Sequence, residues 1–224
     1  MKHLISFFLV LVLITLSSCQ QIASEDNPTA MTVSEADASL EAYDLTTEDW
    51  EMLEGESVKL SVPASYRGGS PNLDLTEIES TLEQLNGDYS ERLQAVQENP
   101  EEIALIAFDT QFFESDTLTN VNVVQHELDE EISLEDYLSQ AVSNLEATHN
   151  IEEQEIINNN DTSMGRILTT LTTEEGVEMT QLFYIHSQPE AMWITTYTTP
   201  SSEFEQRVSN FEESIASLEI EALE

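Results

Sequence analysis

The chain has 224 residues, 45 acidic and 6 basic, and a formal net charge of −39 at pH 7. Such a surface repels phosphate backbones, so the composition argues against nucleic acid as a partner. The acids are spread along the chain, which favours general solvation over a charge-specific site. The single cysteine excludes an internal disulfide, so the fold depends on packing.

The N-terminus consists of a short charged head, an apolar run from Leu4 to Leu16 and then Ser17-Ser18-Cys19. This order is typical of a secretory signal peptide. The apolar run is too short for a membrane span, which needs about 20 residues. We therefore predict a signal peptide over residues 1–18.

Leu16-Ser17-Ser18-Cys19 resembles the lipobox of bacterial lipoproteins. The resemblance implies cleavage before Cys19 and a covalent diacylglyceryl lipid, with acyl chains such as palmitate, on its thiol. Two acyl chains suffice for stable anchoring, whereas one does not. The chain is then expected in the bacterial cell envelope, anchored to the membrane and facing the periplasm or exterior. In the alternative interpretation the segment is an uncleaved anchor, or an ordinary signal peptide in which Cys19 is incidental.

Residues 19–50 are rich in Ser, Thr, Ala, Asp and Glu and poor in large apolar residues. Such a segment cannot bury enough apolar surface to order itself, so we predict an acidic, flexible tether. The remaining residues, 51–224, are predicted to form one α/β domain.

The domain begins with alternating residues that predict a strand over 56–62, followed by a loop over 67–71. Thr76 and Glu79 have capping-box spacing and predict the start of a helix. A second short helix is predicted to stop at Asn99-Pro100. Further strands are predicted at residues 103–108, 120–125, 151–157, 166–173, 177–186 and 191–199, and at the closing segment 218–220.

The clearest helix is predicted over residues 133–148, with Ser133 as its cap. A loop is expected at 158–162, and the three strands after it are predicted to form an antiparallel meander. The last helix is predicted to begin with a capping box of Ser202 and Glu205. This pattern predicts an α/β (α+β) fold in which an antiparallel sheet has helices on both faces.

The order of elements resembles the PsbP-like (Mog1/PsbP-type) α/β/α sandwich domains over residues 54–222. The segments that carry the resemblance are Val58–Pro63, Ile132–Leu138, Trp193–Pro200, Phe204 and Phe211–Ile215. This family includes many bacterial lipoproteins of unknown role and accessory subunits that assist membrane complexes. The resemblance therefore implies an accessory role without a catalytic signature.

No glycine-rich phosphate motif and no G-x-S-x-G nucleophile elbow is present, so no catalytic residue is predicted. His126-Glu127 begins like a zinc-protease motif, but Glu130 stands where the second histidine is required. His186 is interpreted as a surface turn residue. No metal ligand and no cofactor other than the lipid on Cys19 is predicted, and the protein is not expected to be an enzyme.

The aromatic residues divide into core and surface candidates. Trp193 and Tyr197 share one face of a strand whose other face is also bulky, which favours a core position for both. Phe112 and Phe113 lie on a predicted loop and are candidates for contact with a partner. Alternatively, that loop folds back onto the core.

These observations favour a non-catalytic, lipid-anchored interaction or accessory module whose partner is an unknown envelope protein. The alternative is a cation- or small-ligand-binding lipoprotein that uses its acidic surface. An envelope hydrolase is a third possibility, for which the sequence offers no nucleophile and base.

Overall fold

The computed structural model describes residues 49–84, 94, 96–97, 102–111, 118–128, 130–159, 162–174 and 176–221. The elements are β1 (Trp50–Glu54), β2 (Val58–Pro63), β3 (Tyr66–Gly69), α1 (Pro71–Gln84), β4 (Ile103–Asp109), β5 (Asn120–Glu127), α2 (Leu134–Leu145), β6 (Asn150–Asn159), β7 (Thr162–Thr172), β8 (Glu178–Gln188), β9 (Ala191–Pro200), a 3₁₀ turn (Ser201–Glu203), α3 (Phe204–Ala216) and β10 (Glu219–Ile220).

The strands form two sheets. Seven strands lie in the order β3-β4-β5-β9-β8-β7-β6, and a smaller sheet has the order β1-β2-β10. All neighbouring strands are antiparallel. Strands β7, β8 and β9 form the predicted meander, and β9 then pairs with β5 in the middle of the large sheet. The predicted mixed α+β class with an antiparallel sheet is confirmed.

The large sheet has a hydrophobic core on each face. On one face, Ile106 of β4 and Ile194 of β9 pack with side chains of α1 and α2. We call this the helix face. On the other face, Trp193 and Tyr197 pack with residues of β2 and with Phe211 of α3. Trp193 and Tyr197 therefore occupy the core, as predicted.

The second face of the sheet is covered jointly by α3 and the three-stranded sheet rather than by helices alone. The Tyr197 hydroxyl donates to Ser214 Oγ of α3 at 2.9 Å. Ser214 Oγ in turn donates to the Ser61 carbonyl of β2 at 2.6 Å. This chain of hydrogen bonds ties β9, α3 and β2 together inside the core.

A buried ion pair fixes α3 to the end of β4. Arg207 Nη1 lies 2.6 Å from Asp109 Oδ2, and the two side chains are only 9% and 3% exposed. Arg207 Nε also contacts Glu203 Oε2 at 2.8 Å. Burial alone would lower the pKa of Arg207, but Tyr66, Asp109 and Glu203 together raise it above its usual range. The guanidinium therefore keeps its charge within the core.

The elements with the strongest local signals lie where they were predicted. Strand β4 is buried along its whole length, as its unbroken apolar run indicated. Helix α2 begins after Ser133, whose Oγ accepts from the Asp136 backbone N–H at 3.1 Å. The closing strand, β10, pairs with β2. Strand β1 begins at Trp50, the last residue of the predicted tether.

The predicted loop over residues 67–71 is wrong. Residues Tyr66–Gly69 form β3, which pairs with β4 at the edge of the large sheet. The glycines permit this pairing because a Cβ at Gly68 would collide with the backbone of Ile106. A glycine-rich run is typical of a turn, but here it allows the close approach of two strands.

One predicted helix start is shifted and another is wrong. Helix α1 begins at Pro71, because proline suits the first position of a helix. Its helical backbone is interrupted at Asp74, so the longer part of α1 begins within two residues of the predicted start at Thr76. The capping box of Ser202 and Glu205 does not form, because a 3₁₀ turn over Ser201–Glu203 precedes α3. The short helix predicted before Asn99-Pro100 falls mostly outside the described residues.

The second turn of the meander is shorter than predicted, whereas the first, between Thr172 and Glu178, is longer. Strand β8 continues to Gln188, so His186 lies within a strand and is largely buried rather than a surface turn residue. Asn158 belongs to β6 and Thr162 to β7, which shortens the loop predicted there. None of the helices in the described part of the chain has the length and apolarity to cross a membrane.

Candidate functional site

Three site residues predicted from the sequence, Cys19, Phe112 and Phe113, lie outside the described residues and stay predictions. His126-Glu127 ends strand β5, so it lacks the helical setting that a zinc-protease motif needs. The candidate site therefore consists of polar groups that the fold itself brings together.

Six polar side chains form a continuous group on the helix face of the large sheet. Strand pairing places Thr169 opposite Gln181, Gln181 opposite Thr198, and Thr198 opposite Asn120. Two residues further along the strands, Asn122 pairs with Thr196. We call the group the polar row, and it consists of Asn120, Asn122, Thr169, Gln181, Thr196 and Thr198. None of the six is more than 3% exposed.

The sequence places these side chains on the helix face through strand alternation. Val121 and Val123 point into the opposite core, so Asn120 and Asn122 must point toward the helices. Ile194 lies in the helix-face core, which puts Thr196 on the same side of β9. Polar residues thus occupy inward positions of two central strands, where apolar residues are the rule.

Four residues of the polar row lie on strands between the contacts of two helices. Helix α1 packs mainly on β3 and β4, whereas α2 packs on β6, β7 and β8. Strands β5 and β9, which carry Asn120, Asn122, Thr196 and Thr198, run between these two contacts. The part of the sheet between the helices therefore has a polar floor, and spaces between helices are common sites for small ligands.

His149, which follows α2, extends the polar row. His149 Nε2 lies 2.8 Å from Gln181 Oε1, and Gln181 Nε2 donates to Thr198 Oγ1 at 3.1 Å. Thr148 Oγ1 lies 2.8 Å from His149 Nδ1. Because Gln181 Oε1 can only accept, His149 Nε2 carries the hydrogen and Nδ1 accepts from Thr148. Burial lowers the pKa of His149, which favours this neutral form.

Several oxygen atoms of the polar row have no hydrogen-bond partner among the described residues. They are the side-chain oxygens of Asn120, Asn122, Thr169 and Thr196, all of them buried. A buried polar group without a partner costs about 1–3 kcal/mol. Such a cost makes these oxygens candidate contacts for a bound molecule that can donate hydrogen bonds.

Other buried titratable groups are enclosed individually in the cores. Tyr137 O–H lies 2.8 Å from His126 Nδ1, and burial raises the pKa of Tyr137. Burial lowers the pKa of His186 to about 4. Within the part of the chain that the structure describes, no group of three or more His, Cys, Asp or Glu residues could hold a metal ion.

Strand β6 forms one edge of the large sheet, and within the described residues it pairs only with β7. The side chains of residues 152–155 are exposed. Arg166 of β7 holds two of the acids, with Nη1 2.6 Å from Glu153 Oε2 and 3.1 Å from Glu155 Oε1. This edge presents a long strand with an acidic surface.

Sequence reasoning missed the polar row, although a partial signal existed. Asn120 and Asn122 alternate with Val121 and Val123, a pattern that is typical of a strand with one solvated face. On its own, this pattern places the polar face in water. Only the pairing of β5 with β9 in the middle of the sheet buries it.

Comparisons with known proteins give no family assignment. No protein-family model matches the chain, and no curated protein matches it. Among solved structures, the chain is similar to cyanobacterial PsbP (CyanoP) from Synechocystis sp. PCC 6803, with 8% identity, a TM-score of 0.49 and coverage of 79% of this chain and 95% of that one.

Two further solved structures are similar to the chain. LpqN, described as involved in cell envelope biogenesis of Mycobacterium tuberculosis, is 11% identical with a TM-score of 0.49, over 79% of this chain and 92% of that one. PA94 from Pseudomonas aeruginosa, a protein of unknown function, is 14% identical with a TM-score of 0.43, over 47% of this chain and 75% of that one.

Proposed function

We propose that this protein is a lipid-anchored, non-catalytic envelope protein that acts as an interaction or accessory module. The observation that carries the proposal is Leu16-Ser17-Ser18-Cys19 at the end of an apolar run. A diacylglyceryl lipid on Cys19 would hold the mature chain at the membrane. The domain would then face the periplasm or the exterior.

The acidic tether predicted over residues 19–50 would hold the domain at some distance from the lipid surface. A flexible segment of about 30 residues has an end-to-end distance near 30 Å, and repulsion between its acids lengthens it. The charge of −39 also repels the domain from anionic lipids. A domain held near the membrane but away from its surface can reach another envelope protein.

The hydrogen bonds of the histidines support a non-catalytic role. A general base must reach the proton that it abstracts. Both ring nitrogens of His149 contact neighbouring side chains, and His126 Nδ1 contacts Tyr137. His186 is largely buried, and burial lowers its pKa to about 4, below the range suited to a base at neutral pH.

The edge strand β6 is the surface that we propose for contact with a protein partner. An extended segment of another protein can add to an open sheet edge through backbone hydrogen bonds. Glu152, Glu153 and Glu155 make this edge acidic, so a segment that carries lysine or arginine would complement it. Phe112 and Phe113 remain predicted contacts for the same partner.

The anchor is tested by metabolic labelling of cells with a fatty acid. We expect wild-type protein to incorporate the label and to sediment with membranes, and the Cys19→Ala variant to lose both. Ser18→Ala, which keeps a small residue before the cysteine, is the control and should be labelled. Unchanged labelling and sedimentation of Cys19→Ala would contradict the proposal.

The contact surface is tested by photo-crosslinking in intact cells. A benzoylphenylalanine at Gln154, an exposed residue of β6, should give a discrete crosslinked product identifiable by mass spectrometry. The same group at Glu205, an exposed residue of α3, is the control and should not give that product. Identical products from both positions, or none from Gln154, would rule out β6 as the contact surface.

A further inference from the structure

We propose that the polar row between α1 and α2 is a binding site for a small, uncharged ligand that carries several hydroxyl groups. This inference is independent of the lipid anchor and of the protein contact at β6. It also differs from binding at the acidic surface, because the row lies inside the helix face of the large sheet.

The unpaired oxygens of the polar row lie close to one another. Asn122 lies directly opposite Thr196 on the neighbouring strand, and both side-chain oxygens are buried without partners. Asn120, whose Oδ1 is also unpaired, lies two residues away on the same face. These three groups therefore lie together in one region of the sheet, whereas Ser70, Thr195 and His186, which also carry buried atoms without partners among the described residues, lie elsewhere.

The side chains of the polar row match the hydrogen-bonding groups of a polyol. Carboxamides and threonine hydroxyls can each donate and accept hydrogen bonds. A ligand hydroxyl is the complementary group, because it also donates and accepts at one atom. The unpaired Oδ1 atoms of Asn120 and Asn122 need donors in particular.

The polar row carries no charged side chain. It contains only amides and hydroxyls, and burial lowers the pKa of its neighbour His149, which favours the neutral imidazole that contacts Gln181 and Thr148. A buried ion without a counter-charge is strongly disfavoured. The site therefore suits an uncharged ligand and disfavours a carboxylate or a phosphate.

The spacing of three unpaired oxygens favours a ligand with more than one hydroxyl group. Asn122 faces Thr196 across about 4.8 Å of sheet, and Asn120 lies two residues, roughly 7 Å, further along the same strand. A small polyol can contact this group, whereas Thr169, roughly 14 Å from Asn120, lies beyond its reach. One hydroxyl could not contact all three positions.

The test is a titration of the full-length chain in neutral detergent with glycerol, myo-inositol and glucose in turn. The readout is the side-chain amide NMR signals of Asn120 and Asn122. We expect saturable shifts with at least one of these probes. Glucuronate, which adds a carboxylate to the glucose framework, is the charged control and should give no saturable shift.

A matched pair of variants separates the site from general effects of polyols. Thr196→Val removes a hydroxyl of the polar row, and Thr195→Val removes an equally buried, unpaired hydroxyl on the opposite face of the same strand. Because valine has nearly the same shape as threonine, both variants should fold, which circular dichroism checks. We expect affinity to fall at least tenfold in Thr196→Val and to stay unchanged in Thr195→Val.

Three results would overturn the inference. The first is the absence of saturable shifts with all three polyols. The second is an equal change of affinity in the two valine variants. The third is binding of glucuronate as tight as that of glucose.

Discussion

Replacing Arg207 with methionine is expected to be among the most destabilising single substitutions in α3. The guanidinium lies 2.6 Å from Asp109, and the two side chains are 9% and 3% exposed. Removal of one partner from a buried ion pair leaves the other charge without compensation and costs about 3–5 kcal/mol. That loss is a large share of the 5–15 kcal/mol that stabilises a typical domain.

The measurement is the free energy of unfolding from urea titrations followed by circular dichroism. Lys59→Met is the matched control, because Lys59 and Glu54 form an ion pair at 3.5 Å with side chains 36% and 73% exposed. Exposed pairs contribute only about 0–1 kcal/mol. We expect the loss in Arg207→Met to exceed the loss in Lys59→Met several-fold.

A double variant tests whether the loss comes from an uncompensated charge. In Arg207→Met/Asp109→Leu neither charge remains, and apolar residues of similar size often replace a buried pair without loss. We expect this variant to recover at least half of the stability lost in Arg207→Met. A loss below about 1 kcal/mol in Arg207→Met, or no recovery in the double variant, would refute the reasoning.

Two further predictions concern buried groups of the large sheet. The pKa of His186 is about 4 in the folded chain and about 6.5 when unfolded, so its contribution to stability is present above pH 6.5 and lost as the pH falls toward 4. The free energy of unfolding, measured by urea titration, should therefore fall between pH 7 and 4 by about 2–3 kcal/mol less in His186→Leu than in wild type. Equal decreases in the two proteins would contradict the lowered pKa of His186. Thr195→Val should raise the free energy of unfolding by about 1 kcal/mol because Thr195 Oγ1 is buried without a partner, whereas a decrease would mean that the hydroxyl is paired.

Elements with a complete local signal were predicted from the sequence. The apolar run of β4 indicated burial on both faces, and Ser133 with Asp136 indicated the start of α2. In each case the stabilising contacts lie within the segment or follow directly from its own composition. The predicted positions therefore agree with the structure.

Elements whose stability comes from distant residues were missed. Tyr66–Gly69 forms a strand because it pairs with β4, which begins more than thirty residues later. Glu219–Ile220 was predicted as a strand, but its pairing with β2 in a separate sheet was not. Local patterns carry no information about which strands become neighbours.

The polar row shows the same limit at the level of the candidate site. Thr169, Gln181, Thr198 and Asn120 are far apart in the sequence, and only the register of four strands aligns them. His149 joins them because the end of α2 lies over β8. The proposed lipidation motif, by contrast, is contiguous in the sequence, so its prediction needs no information on strand pairing, and it stays a prediction.

The central claim, that Cys19 anchors the mature chain, is tested most directly by mass spectrometry of its N-terminal peptide after purification from membranes. The account predicts a peptide that begins at Cys19 and carries the mass of a diacylglyceryl group. A peptide that retains residues 1–18, or one with an unmodified Cys19 thiol, would contradict it.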